Sequence, residues 1–170
     1  MLTILKEEQF DKVYKLMEDS FPKDEYRPYP LQRALLANPL YRIYVHEENQ
    51  ELVAFFATWE GPHFIFLEHF AVKERFRNHG LGSKLLQEFL KQQEKPTVIE
   101  IEPPVGEMEK RRANFYKRNG FHPTPWGYHM PALAKGQNEV PLVLMSYPNP
   151  LKEKEFHIFK DWVFQHVYQS

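Results

Sequence analysis

The chain has 170 residues, 22 of them basic and 23 acidic, with a formal net charge of −1, 42% hydrophobic and 15% aromatic residues, and no cysteine. This composition suits one folded domain with a full core and argues against disorder. Balanced charge offers no general attraction to nucleic acid or a membrane surface, and the lack of cysteine excludes disulfides, thiolate metal sites and a thiol nucleophile.

In chain order, residues 2–5 read as a short strand. "EEQFDKVYKLMEDSF" follows with Phe10, Val13, Leu16 or Met17 and Phe21 at helical spacing. "PKDEYRPYP" is a loop, and "LQRALLAN" a short helix stopped before Pro39. "YRIYVHE" and "LVAFFATWE" form a hairpin across Glu48 to Gln50, and the nearly continuous apolar run "HFIFLEHFAV" is expected at the centre of the sheet. Leu85, Leu86, Phe89 and Leu90 mark a helix from about Gly82 to Glu94. "TVIEIE" is a strand ended by Pro103 and Pro104, "KRRANFYKRNGF" a helix closed by Gly120, and "VPLVLMSY" a late strand. Residues 122–139 read as an irregular excursion, and Phe156, Phe159, Trp162, Val163 and Val167 give a closing helix. The fold class is α+β, a mixed and mostly antiparallel sheet flanked by helices, in a single domain 1–170 with 148–170 as a C-terminal helical extension. The opening "MLTILKEEQF" has too short an apolar run for a signal peptide, no segment approaches the roughly 20 apolar residues of a membrane span, and a cytoplasmic location is expected.

The stretch "VKERFRNHGLGSKLL" places Gly80 and Gly82 at the start of a helix. Glycines there serve either a positive φ or the close approach of something large. The first N–H groups of a helix lack partners and carry partial positive charge, so an anion can lie against bare backbone. Ser83 adds a hydroxyl, and Arg75, Arg77 and Lys84 add charge. The P-loop pattern GxxxxGK[ST] is absent. A dinucleotide fingerprint lacks its third glycine in "GLGSKL", although Glu100 lies near the place of a ribose-binding acid.

"RNHGLG", Arg77 to Gly82, resembles the Q/R-x-x-G-x-G/A signature of the GCN5-related N-acetyltransferases, the GNAT superfamily. The preceding strand ending in "FAV", the later "NFYKRNGF" helix and the order of elements over residues 1–147 resemble that family as well. The resemblance implies acetyl-CoA as the donor, with an amine as acceptor and direct attack in a ternary complex. It implies that the pantetheine arm pairs with the backbone of Phe70, Ala71 and Val72. The pyrophosphate would be held by backbone N–H groups of the glycine loop, from Asn78 through His79, Gly80, Leu81 and Gly82 to Ser83, with Arg77 also binding the cofactor. Asn114 matches a position that contacts the cofactor, and Tyr116 matches the tyrosine that protonates the leaving thiolate. Glu68, a charge in an otherwise apolar strand, is the expected base, with a pKa raised by partial burial; a structural ion pair with an arginine is the competing reading. Strand alternation puts Phe66, Glu68, Phe70 and Val72 on one face and His69 on the other. Glu68, Glu100 and Glu102 are expected to face the cleft and favour a cationic amine, with Tyr26, Tyr29, Trp126 and Tyr128 as acceptor walls. The eight histidines show no HExxH spacing, so no metal is expected. Nucleic acid and membrane are not expected partners, and a homodimer is left open. A non-catalytic acyl-CoA-binding regulatory module is the alternative function.

Overall fold

The computed structural model describes residues 1–169. Seven strands form one sheet in the order β1-β2-β3-β4-β5-β7-β6. They are β1 (Thr3–Ile4), β2 (Tyr41–Glu48), β3 (Glu51–Glu60), β4 (Ile65–Val72), β5 (Thr97–Ile101), β6 (His122–Met130) and β7 (Val140–Tyr147). Neighbouring strands pair antiparallel except β4 and β5, which run parallel. Among the described residues the five α-helices are α1 (Phe10–Ser20), α2 (Tyr29–Ala34), α3 (Leu81–Lys91), α4 (Glu107–Arg118) and α5 (Glu153–His166).

The helical stripes decide which face each helix covers. Phe10, Val13, Leu16 and Met17 of α1, with Phe156, Phe159 and Val163 of α5, are buried in one cluster on one side of the sheet. Leu85, Leu86, Phe89 and Leu90 of α3, with Ala113 and Tyr116 of α4, are buried in a second cluster on the other. The sheet is therefore covered on both faces, which explains why β3 and β4 are apolar at nearly every position instead of alternating.

Two expectations fail, each for a local reason. The segment read as irregular contains β6, a nine-residue edge strand. Its Pro123, Pro125 and Gly127 look like breakers, but its register against β7 shifts between Pro123 and Gly127. An edge strand with a bulge tolerates residues that cannot donate to a ladder. The second failure is the alternation of β4. Ala57 of β3 faces His69, but Thr58 faces Leu67, so Glu68 is an extra, bulged residue. The phase of the strand inverts there: Phe66 and Ala71 belong to one core cluster, Leu67, Phe70 and Val72 to the other. Glu68 and His69 consequently do not follow the faces that strict alternation assigns.

Candidate active site

The parallel pairing of β4 with β5 stops after three residues, Ile65 to Leu67 against Thr97 to Ile99. Beyond it, β5 continues with β7, Glu100 opposite Leu144 and Ile101 opposite Val143. The two central strands thus part at the bulge. A cavity of about 500 Å³ opens between them, bordered by β4 from Leu67 to Val72, by Ile99 to Ile101 of β5, by the start of α3 and by α4. Phe70, Ala71, Val72, Arg77, Asn78, Gly80, Gly82, Ser83, Glu68 and Tyr116 all border it; His79, Leu81 and Asn114 do not.

The glycine question resolves differently at the two positions. Gly80 caps α3 in the left-handed region, φ 78°, and Asn78 before it has φ 67°, so Gly80 supplies backbone freedom. Gly82 has no such demand. A Cβ there would meet the Phe115 ring at 3.6 Å and Val72 at 3.7 Å, ordinary contact distances. The protein itself therefore has room for a side chain at Gly82, and what the missing side chain leaves is access to backbone at a helix start. Lys84 N makes the first helical bond, to Gly80 O at 3.1 Å, leaving the N–H groups of Leu81, Gly82 and Ser83 without intrahelical acceptors. Arg77 ties the loop down by donating from Nε to Val72 O at 2.7 Å.

Asn119, which the sequence did not single out, fixes the two helices that carry the site. Its Nδ2 donates to Ser83 Oγ at 3.1 Å and to Phe115 O at 2.9 Å, while its carbonyls accept from Gln87 Nε2 at 3.1 Å. The charges differ from those expected too. Arg75 is paired with Glu51, and the cations bordering the cavity besides Arg77 are Arg111, Arg112 and Arg118 of α4. Arg111, Phe115 and Arg118 recur at one-turn intervals in "KRRANFYKR", a signal available in the sequence.

Tyr116 is buried between Phe115 and Phe121, each ring centroid at 5.3 Å. Burial pushes its hydroxyl pKa up to about 12, against a smaller opposing effect of Arg112. The phenol therefore keeps its proton at neutral pH.

Glu68 is held where the bulge puts it. Arg27 donates to both its oxygens at 3.3 and 3.1 Å, and Trp59 Nε1 donates at 2.9 Å. Burial alone would raise its pKa; the Arg27 charge, with His69 and the bonds from Trp59 and Arg27, outweighs that and holds the carboxyl below its ordinary value. This corrects the expectation of a raised pKa: a partner 41 residues away in sequence reverses the sign. His69 donates from Nε2 to Glu25 O at 2.7 Å, and burial keeps its ring pKa below the usual value.

Two other carboxyls move the opposite way. Glu100 accepts from the hydroxyls of Tyr128 and of Tyr168, the latter at 2.5 Å. Burial raises its pKa to about 7 despite those bonds. Burial, and then Glu102 opposite, raise Glu25 to about 8. Both exceed the ordinary value of 4.5 in the folded state. Their contribution to stability is therefore complete below that value and is lost as pH rises through about 7 and then about 8. The thermal midpoint should accordingly be lower at pH 9 than at pH 6, and the difference should shrink in Glu25→Gln. Equal midpoints across that window would contradict these environments.

The expected acceptor walls are placed elsewhere in part. Tyr26 and Tyr29 pack on Tyr14 of α1, at 5.9 and 5.2 Å between centroids, and Trp126 packs on Phe156 at 5.7 Å. Phe21 and Glu25 border the cavity instead.

The sequence pattern of the Acetyltransferase (GNAT) domain matches residues 39–123, half of the chain. No curated protein matches. A GNAT-family protein from Bacteroides thetaiotaomicron superposes with a TM-score of 0.89 at 28% identity, covering 100% of this chain and 99% of that one. The ribosomal-protein-S18-alanine N-acetyltransferase of Escherichia coli superposes at 0.65 with 16% identity, over 91% of this chain and 96% of that one. Arabidopsis thaliana NAA60, solved in complex with acetyl-CoA, superposes at 0.65 with 13% identity, over 86% and 97%. The last two show a shared fold. With its matching domain, its parted central strands and its glycine-marked helix start, the chain belongs to the GNAT family of acetyltransferases.

Proposed function

We propose that the protein transfers an acetyl group from acetyl-CoA to a primary amine of a small molecule or peptide, by direct attack within a ternary complex. The observation that carries this reading is one cavity bordered together by the open edge of β4, by Gly82 and by Tyr116. The residues fit the donor. Phe70, Ala71 and Val72 offer a strand edge to its amide arm, and the N–H groups of Leu81, Gly82 and Ser83 offer an anion cradle to its pyrophosphate. The basic face of α4 adds charge. Acetyl-CoA supplies the activated thioester when bound. A chain without cysteine fits a reducing, cytoplasmic setting.

Tyr116 is the proton donor to the departing sulfur. Its pKa of about 12 keeps the proton available, and the same dry surroundings raise the affinity of a thiolate for a proton, which keeps donor and acceptor matched. Glu68 is a positioning carboxylate in this reading. Its two bonds from Arg27 and its depressed pKa leave it a weak base, while its charge fixes the bulge that parts the strands. Tyr116→Phe should lower kcat by about 10²-fold with acetyl-CoA affinity unchanged, measured by thiol release and by calorimetry. A fully active Phe variant in which chemistry limits the rate would reduce Tyr116 to packing. A folded wild-type protein that binds acetyl-CoA and acetylates no amine would instead favour the non-catalytic binding module.

A further inference from the structure

The cavity holds three carboxyls, and two are committed. Glu68 is taken up by Arg27 and Trp59, and Glu100 by Tyr128 and Tyr168. Glu25 is different. Its Oε2 is buried and has no hydrogen-bond partner among the described residues. Its neighbour His69, 3% exposed and on the same wall, also has an unpartnered nitrogen, Nδ1. Native structures rarely leave buried polar atoms unpaired without a use for them.

The backbone that carries Glu25 is held unusually firmly for a segment that reads as a loop. It ends the short 3-10 turn Lys23–Glu25. His69 Nε2 grips the Glu25 carbonyl at 2.7 Å from β4. From the connection between β6 and β7, Asn138 donates to the Asp24 carboxylate from its backbone N at 3.0 Å and from Nδ2 at 3.2 Å. Gln137 Nε2 donates to Lys23 O at 3.2 Å and Tyr26 O at 2.9 Å. The turn is thus fastened both from β4 and from the β6–β7 connection, and its one residue bordering the cavity is a glutamate. Glu102, one residue past β5, adds a negative charge that acts on it.

We propose that Glu25 receives the acceptor as a primary aliphatic ammonium and takes the proton that makes its nitrogen nucleophilic. The inference rests on the N-acetyltransferase reading and names its substrate class. The ammonium supplies the donors that Glu25 Oε2 lacks. It passes one proton to Glu25, which returns it to solvent after turnover. The neutral nitrogen forms the C–N bond as the C–S bond breaks. The second proton leaves the nitrogen as the amide forms, balancing the one that Tyr116 gives to sulfur and later recovers. A base of this kind works best when its pKa lies near the operating pH. Burial and Glu102 put Glu25 at about 8. The charged and titratable groups around it are Glu100 of β5 and Glu102 just past it, Arg112 of α4, and His69 and Glu68 of β4 with Arg27 behind them.

The test uses the full chain, acetyl-CoA and two aliphatic amines of different amine pKa. In the wild type, kcat/KM should rise with pH along a limb that is the same for both amines and belongs to the Glu25 carboxyl. Glu25→Gln should lower kcat/KM by about 10²-fold and flatten that limb, with acetyl-CoA affinity unchanged by calorimetry. Glu102→Gln removes the neighbouring negative charge, so the limb should move to lower pH, a shift that a merely structural role for Glu25 would not produce. A limb that follows the acceptor, or one that survives Glu25→Gln at full rate, overturns this inference and leaves the N-acetyltransferase reading standing. A wild type that binds acetyl-CoA and acetylates neither amine overturns both.

Discussion

Gly82→Asp should abolish acetyl-CoA binding while leaving the protein folded. The two halves of that result come from separate observations. A Cβ at Gly82 would sit 3.6 Å from the Phe115 ring and 3.7 Å from Val72, distances at which neighbouring groups ordinarily rest. The backbone is helical there and carries no positive φ, so folding has little reason to suffer. A carboxylate at this point, however, occupies the N–H cradle at the start of α3 and brings negative charge to where a pyrophosphate would lie. Gly82→Ala is the graded control, adding bulk without charge. Calorimetry with acetyl-CoA, beside circular dichroism of each variant, reads both halves. Unchanged affinity in folded Gly82→Asp would show that the phosphates lie elsewhere.

Arg27→Ala should be among the most destabilising single substitutions in the chain, by about 3–5 kcal/mol in urea unfolding. Arg27 and Glu68 have side-chain exposures of only 6% and 3%, and their closest approach is 3.1 Å. Removing the guanidinium leaves a buried carboxylate with Trp59 as its remaining donor. It also removes the Nη1 donor 3.4 Å from Gln32 Oε1, which keeps the bond from the Arg27 backbone N at 3.1 Å. Replacing both charged partners with leucine should recover much of the loss, because no charge is then left unpaired. If the single substitution costs less than about 1 kcal/mol, as exposed ion pairs do, water must reach Glu68 and its depressed pKa would need another cause.

These two residues also show what could and could not be read from the sequence. The place of Gly82 at a helix start beside the cavity was legible because its signals are local: two glycines, a serine and a helical stripe lie within one short run. The same is true of Tyr116, placed by "NFYKRNG" at the end of a helix. Arg27 was not legible. Its partner is 41 positions distant, and the loop "PKDEYRPYP" gives no sign that its arginine is the one turned inward. The bulge at Glu68 was invisible for a related reason. A bulge is a mismatch between two strands, and "FIFLEHFAV" read alone shows only one of them. That single inserted residue changes which face each side chain of β4 takes and lets β4 and β5 part. β6 was hidden by its prolines, whose tolerance depends on the strand lying at an edge, a fact of topology that local propensity does not contain. Glu25 and Asn119 belong to the same class, since each gains its meaning from a residue on another element.

The central claim is amine acetylation, and it is tested most directly by incubating the wild-type chain with acetyl-CoA and a panel of primary amines, aliphatic, aromatic and peptidyl. Product is followed by mass spectrometry and free thiol by absorbance. The expected result is N-acetylated amine formed in equal amount with released thiol, strongest for aliphatic ammonium acceptors and absent with Gly82→Asp. Tight binding of acetyl-CoA with no acetylated amine and no thiol released would contradict it and identify the chain as a binding module on the same fold.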